Sequence, residues 1–425
     1  TLIDKERYGF KSAGGYHGPH KTYKEKEQSF LKMVETLEAG ETYIFVDHPS
    51  YDNVEMESVG HIGYEDVASD RQGVTNLFTS PEIKTALGNK NIELVSYNEI
   101  SKGLQRGEPS LKLKKGVENF VKDMEKMEDG ELHSLMILQH GKVLSESWHN
   151  GWNKDMRHTL FSTTKTFTAT AVGFAVDEGK LNVTDKVISF FPDKLPENIS
   201  PELQKLEVRH LLTMSTGFDK NPGKDIALRD SNDLVRGFLA TPIEHEPGTF
   251  FCYSSMNSYM LSAIVQKVTG EKLYDYLYPR LFRPLGITGL VWRESNQGIN
   301  QGGWGLNITT EDMAKFGLFL LNGGKWNDRQ LLSSLWIEEA TSSKIASHPA
   351  GSEWDKKMKK KDSDWMQGYC YQMWRCRNNG VRADGANGQF IIILPEKDAV
   401  IAITSNVKDM QAEINLVWKH ILPAL

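Results

Sequence analysis

No stretch of this 425-residue chain approaches the roughly 20 consecutive apolar residues that cross a bilayer as a helix. Cysteine is scarce. Cys252, Cys370 and Cys376 lack metal-ligand spacing and cannot all pair with one another, so they define neither a metal site nor a redox compartment. Positive charge is not in excess: 50 lysines and arginines against 56 acidic residues leave a formal net charge of -6, with nothing to attract nucleic acid or anionic lipid. There is no internal repeat. There is also no G-x-S-x-G segment, which removes the hydrolases whose serine sits on a strained strand-to-helix elbow. The first residue is Thr1 rather than Met, so we expect a signal peptide or larger upstream segment to have been removed.

What is present is an ordinary globular balance, 39% hydrophobic and 25% charged, over a length that suggests two domains. Residues 1–108 alternate helix and strand: helical spacing over Gln28–Ala39, a β-prone run at Thr42–Val46, a helix start at Ser80-Pro81 and a strand at Ile92–Tyr97. That makes a small α/β segment. Gly103, Gly107 and Pro109 mark a linker within Lys102–Leu111. Residues 109–425 read differently. A helix over Gly116–Met127 precedes strands at Ser134–Gln139 and Lys142–Trp148, joined by the hairpin signal His140-Gly141. A mainly helical stretch runs from Ser162 to about Ala340. Strands at Gln389–Leu394 and Ala399–Thr404 and a helix at Met410–Ile421 close the chain. The resulting class is α/β of the α+β type, one antiparallel sheet completed by the C-terminal part and flanked by helices, with a helical subdomain. The lysine-rich run Lys356–Lys361 reads as a solvated loop.

Three S-x-x-K matches occur, at Ser29/Lys32, Ser162/Lys165 and Ser405/Lys408. Only Ser162 opens a strongly helical run, Thr163–Ala175, which puts Lys165 nearly one turn on and on the same face. Free backbone N–H groups at the helix start favour an anionic oxygen, and a desolvated lysine can serve as base. Taken alone, Ser162 is equally a helix cap. Phe251-Cys252-Tyr253-Ser254-Ser255 then precedes a helix, and a tyrosine near an ammonium is drawn towards its phenolate and can relay protons. Ala383-Asp384-Gly385-Ala386-Asn387-Gly388-Gln389 enters a strand, where small residues at the edge let a substrate backbone approach closely.

In this order the three elements resemble the serine β-lactamase and penicillin-binding protein superfamily, especially the branch of class C enzymes, related esterases and nylon-oligomer hydrolases. Ser162-Thr163-Thr164-Lys165 matches S-x-x-K, Tyr253-Ser254-Ser255 matches Y-x-N with serine for asparagine, and Ala383-Asp384-Gly385 stands where K-T-G or H-x-G is usual. Arg209–Gly217, Gly302-Gly303-Trp304-Gly305-Leu306 and Glu311-Asp312-Met313 look similar too. The resemblance implies a nucleophile at Ser162, general bases at Lys165 and Tyr253, and an oxyanion hole from the N–H groups of Ser162 and Ala386. It implies substrate contacts at Ser255, Asp384, Gly385, Ala386 and Asn387, with no cofactor and no metal.

The expected function is hydrolysis of an ester or amide in a small-molecule or peptide-like substrate through an acyl-enzyme. The alternatives are a D-alanyl-D-alanine carboxypeptidase or penicillin-binding protein, and a binding protein of the same fold without turnover. Ala383 and Asp384 replace the usual cation, so a neutral or cationic substrate is expected over a carboxylate-bearing one. Arg382 is the adjacent cation, but neighbours on a strand point to opposite faces. Glu27–Ile100 resembles the C-terminal part of sugar deacetylases of the YdjC type, with a similar loop at His48-Pro49. Asp47, His48, Glu55 and His61 are potential metal ligands there, although a structural remnant is the preferred reading. The periplasm or the exterior is the expected location, with the cytoplasm as alternative. The sequence sets no oligomeric state.

Overall fold

The computed structural model describes residues 11–15, 22–38, 43–59, 62–92, 94, 104–229, 232–348 and 359–425. They fall into two compact units, Thr1–Ile100 and Ser101–Leu425.

In the first unit, β1 (Lys11–Gly15) pairs in parallel with β2 (Tyr43–Val46), and helices α1 (Tyr23–Glu35), α2 (Val67–Thr79) and α3 (Pro81–Asn89) pack together. Helix α1 begins earlier than the Gln28 expected from hydrophobic spacing, because Thr22 and Glu25 form a reciprocal capping box. Ser80 caps α3 with Pro81 in its first turn, as its sequence predicts. Phe30, Val34, Leu77, Ile83 and Leu87 form the core. Phe45 meets Phe30 edge-on at 4.9 Å between ring centroids. Most of the strand expected at Ile92–Tyr97 lies outside the described residues, as do His61 and Lys356–Met358. Among the described residues no three His, Cys, Asp or Glu side chains come together as a metal-binding group.

The second unit begins before residue 109. Its first strand, β3 (Gln105–Arg106), pairs in parallel with Lys142-Val143, which draws the segment expected as linker into the sheet. Ser110 caps helix α4 (Leu111–Met124) through the Leu113 N–H, so the helix starts a turn ahead of Gly116. Strands β4 (Gly130–Gln139) and β5 (Lys142–Trp148) form the hairpin around His140 and Gly141, both at positive φ (51° and 72°) as a two-residue turn requires. A short strand β6 (His158–Thr159) leads to helix α5 (Thr164–Asp177), and further along come helix α6 (Ser255–Thr269), strands β7 (Val291–Trp292) and β8 (Leu306–Ile308), and helix α7 (Thr310–Leu321). The chain then returns through β9 (Trp374–Arg375), β10 (Val381–Gly385), β11 (Gln389–Leu394) and β12 (Ala399–Val407) to helix α8 (Met410–Leu416).

The main sheet runs β9-β10-β11-β12-β4-β5-β3, antiparallel apart from its β3 edge, while β6, β8 and β7 form a separate three-stranded sheet. The strand pair β12–β4 is therefore central, which confirms the expectation that the C-terminal part completes the sheet. Both faces are covered, so the inner strands read as continuous apolar runs. Met136, Leu138, Ile391, Val400 and Ala402 face the helical subdomain with α5, α6 and α7. Their neighbours Leu135, Ile137, Phe390, Ile401 and Ile403 face α4 and α8. No helix is long and apolar enough to cross a membrane among the described residues.

Helix α7 touches the sheet at Gly317, where an added Cβ would stand 2.5 Å from Val400 and 2.8 Å from Ile391 side-chain carbons. Gly317→Val should destabilise the protein by about 1–3 kcal/mol through overpacking, seen as a lowered midpoint in urea at unchanged slope. An unchanged midpoint would show that this contact can relax.

Candidate active site

Ser162 lies in a single 3-10 turn, Phe161–Thr163, that runs directly into α5. Phe161 takes a left-handed φ of 47°, which a bulky residue adopts only when its surroundings enforce it. The enforcement is visible on both sides. Leu160 N–H bonds to the Leu306 carbonyl, and the Thr163 hydroxyl donates to the Gln389 carbonyl at 2.9 Å. Gly385 closes the third side, since a Cβ there would lie 2.2 Å from the Leu160 carbonyl oxygen. The close pass at Gly385 is made by the backbone of the serine turn, a contact separate from the substrate approach that the sequence suggested there.

Lys165 follows one turn along α5 and is only 1% exposed. Its Nζ stands 3.1 Å from Ser162 Oγ, 3.0 Å from Ser255 Oγ and 2.7 Å from the Gly303 carbonyl oxygen. Burial lowers its pKa to about 7, against a smaller opposing pull from Asp384. A neutral amine has two hydrogens and one lone pair. The Gly303 carbonyl can only accept, so one hydrogen goes there; with the second on Ser255, the nearer of the two hydroxyls, the lone pair faces the Ser162 hydroxyl. Two glycines make this arrangement possible. A Cβ at Gly303 would meet Ser255 Cβ at 2.8 Å, and one at Gly302 would meet the Ser258 carbonyl at 2.1 Å, so only glycine lets this strand of backbone lie on α6.

Tyr253 packs over the amine, with Lys165 Nζ 5.0 Å from its ring centroid, and its ring lies 5.4 Å from that of Trp374. Burial pushes its phenol well up, outweighing the opposing influence of Ser162 and Trp374. The expectation of a phenolate favoured by a neighbouring ammonium is therefore reversed: the lysine is driven neutral and the tyrosine stays protonated. The segment holding Tyr253 is braced by Met214, whose carbonyl accepts from Cys252 N–H and whose sulfur lies 3.4 Å from Ser254 N.

On β10 the three expected residues separate. Ala383 is 1% exposed and packs into the core that faces the helical subdomain. Asp384 alternates away from it and shares its face with Arg382, whose Nε donates to Asp384 Oδ2 at 2.8 Å. The register from Val381 to Gly385 is regular, so no bulge is needed. Arg382 diverges from its neighbour Ala383, as neighbours on a strand do. The partner it meets is two residues on, where side chains converge. Arg382 is fully buried and further held by the carbonyls of Asp364 and Arg375, with its guanidinium 4.5 Å from the Trp365 ring centroid. Ala386 and Asn387 are exposed at the tip of the turn joining β10 to β11. Asn387 adopts φ 63°, and its carbonyl is taken up within the turn.

The geometry brings together Ser162, Lys165, Tyr253 and Ser255, with Asp384 close enough to act on Lys165. Sequence reasoning missed the Gly303 carbonyl, Trp374 and the Arg382–Asp384 pair. Gly302-Gly303 was noticed as a motif, and its pair of glycines was the available signal.

The beta-lactamase family model matches residues 124–423. The chain belongs to the beta-lactamase family. Among curated proteins it is 26% identical to the 6-aminohexanoate-dimer hydrolase of Paenarthrobacter ureafaciens, over 67% of this chain and 75% of that one. It is 27% identical to protein flp of Staphylococcus aureus (strain COL), over 38% of this chain but only 35% of that protein's length. Solved structures with the same fold include the octameric penicillin-binding protein homologue from Pyrococcus abyssi, with TM-score 0.55 and 20% identity, covering 73% of this chain and 77% of that one. A penicillin-binding protein homolog from Caulobacter crescentus aligns with TM-score 0.56 and 15% identity, over 75% and 99%. The family match begins at Met124 and leaves the first unit outside it.

For Lys165 to take a proton from Ser162 its amine must be neutral. Activity as kcat/KM should rise with pH along a limb centred near 7, because the ammonium loses its proton through that range. Lys165→Arg should abolish the limb along with the activity, since guanidinium stays charged. A rate flat from pH 5 to pH 9, on the order of that span, would mean that Lys165 does not gate the reaction.

Proposed function

We propose that this protein is a serine hydrolase that cleaves an ester or amide through an acyl-enzyme on Ser162. The observation that carries it is the buried Lys165 amine, at a pKa of about 7, 3.1 Å from Ser162 Oγ. In acylation Lys165 Nζ takes the hydroxyl proton while Ser162 Oγ bonds to the substrate carbonyl carbon. Negative charge forms on the carbonyl oxygen, where the N–H groups of Ser162 and Ala386 would receive it. The bond to the leaving oxygen or nitrogen then breaks. Tyr253 gives that atom its proton and recovers one from Lys165. Water repeats the sequence in reverse: its proton passes to Lys165, its oxygen takes the acyl carbon, and Ser162 leaves reprotonated. The high pKa of Tyr253 suits donation to a leaving group better than a share in the base role. The Paenarthrobacter relative, named as a hydrolase of a 6-aminohexanoate dimer, supports hydrolysis of a small substrate.

The preferred substrate is uncharged or cationic near the scissile bond. Asp384 presents a carboxylate to the site, but Arg382 neutralises much of its field, so discrimination is weaker than an unpaired acid would give. Ala383 faces the core, which makes Asp384 the residue to test.

Ser162→Ala should lose all hydrolysis of p-nitrophenyl esters and all labelling by a fluorophosphonate, with an unchanged melting temperature. Retained turnover in this variant would end the assignment. Labelling of the wild-type protein without turnover on any ester, amide, cephalosporin or D-Ala-D-Ala peptide would favour the binding protein instead. Between two substrates of equal size, the neutral one should exceed the carboxylate-bearing one by on the order of tenfold in kcat/KM, the scale of one charged hydrogen bond. Asp384→Asn should shrink that ratio; a preference of the wild-type protein for the carboxylate would overturn the substrate class.

A further inference from the structure

The turn from Gly385 to Gln389 is pinned to the Ser162 turn on one side, by Thr163 and by the close pass of Gly385 under Leu160. Its other side rests on a buried acid that the chemistry above does not use. Glu413, on α8, has no exposed surface. Its Oε1 lies 2.8 Å from Ser405 Oγ, and Ser405 Oγ lies 3.0 Å from the carbonyls of both Asn387 and Gly388. Glu413 Oε2 is buried without a hydrogen-bond partner and fills the space a side chain at Gly388 would take, 2.2 Å from that Cβ position. Gln389 Nε2 completes the ring of contacts with the carbonyls of Ala386, Asn387 and Ser405.

Counting hydrogens decides the state of this cluster. If Glu413 were ionised, the single Ser405 hydrogen would be contested by three acceptors, and a charged oxygen would remain buried and bare. If Glu413 is neutral, its O–H donates to Ser405, and the Ser405 hydrogen goes to the turn. We propose that Glu413 is a positioning residue: a carboxylic acid held neutral, whose hydrogen bond through Ser405 fixes the Gly385–Gln389 turn and with it the Ala386 N–H opposite Ser162. The proposal rests on the reading of Ser162 and Ala386 given above. Burial pushes the Glu413 carboxyl well above the carboxylate range, against a smaller lowering by the Ser405 hydrogen bond and with a still smaller push from the charge of Asp384.

The test compares Glu413→Ala, Glu413→Gln and Ser162→Ala in the full chain. Glu413→Ala should lower kcat by tenfold or more, on the scale of a lost oxyanion donor, with KM nearly unchanged. Glu413→Gln, whose amide can still donate to Ser405, should recover most of that loss. Should Glu413→Ala not fold, Ser405→Ala breaks the same link from the other end and should show the same kcat loss. The thermal midpoint gives a reading independent of catalysis. A carboxyl whose folded pKa lies above its unfolded one loses stability as pH rises between the two values. The melting temperature of Glu413→Gln should therefore gain on that of the wild-type protein as pH increases from about 5 to about 9. Unchanged kcat in Glu413→Ala, no recovery in Glu413→Gln, or a Glu413→Gln melting temperature that stays level with or falls back against that of the wild-type protein as pH rises would each overturn the proposal. Activity surviving in Ser162→Ala would instead remove the nucleophile assignment, leaving the melting-temperature gap to decide the state of Glu413.

Discussion

Desolvation of one amine organises the site. Lys165 is enclosed where an ammonium is costly, and three oxygen atoms surround its nitrogen. One is a backbone carbonyl, one a hydroxyl at the start of α6, and one the hydroxyl of Ser162. Each comes from a different part of the chain, so the lone pair is aimed only when the start of α5, the start of α6 and the Gly302-Gly303 segment are all in place. The same burial that lowers the lysine raises the tyrosine above it. Two groups that would exchange a proton in the wrong sense in water are thereby ordered as an acceptor and a donor.

A second charge is treated in the opposite way. Arg382 and Asp384 are kept as an ion pair inside the sheet edge, stacked against Trp365 and tied to carbonyls of two other segments. Such a pair contributes little net stability compared with apolar residues of the same volume. Its structural effect is to let a carboxylate stand near Lys165 without binding it directly.

Much of this was legible in the chain. Helical spacing after Ser162 placed Lys165 on the same face, the alternating strands of both ends assembled into one sheet, and Ser80-Pro81 and His140-Gly141 marked their turns. Those signals are local, set by periods of 3.6 and 2 and by the dihedral needs of single residues. What could not be read depended on long-range meetings. The carbonyl of Gly303 carries no side chain to attract notice. Trp374 is one of ten tryptophans. Glu413 looked like one polar position on a closing helix, and only its place beneath Gly388 makes it unusual. Arg382 meets Asp384 because residues two apart on a strand share a side, a pairing that the three-residue motif Ala383-Asp384-Gly385 leaves out of view.

The pairing of β4 with β12 has a consequence for biogenesis. A ribosome delivers residues 130–139 long before residues 399–407, yet these two strands lie side by side at the middle of the sheet. Until the later one emerges, the inner edge of β4 is an open row of hydrogen-bonding groups flanked by apolar side chains, and the turn bearing Ala386 has nothing to rest on. Co-translational maturation of this domain is thus deferred until residues 399–407 have emerged. A nascent or prematurely terminated product would carry Ser162 and Lys165 yet be both inert and adhesive, a natural client for holding chaperones.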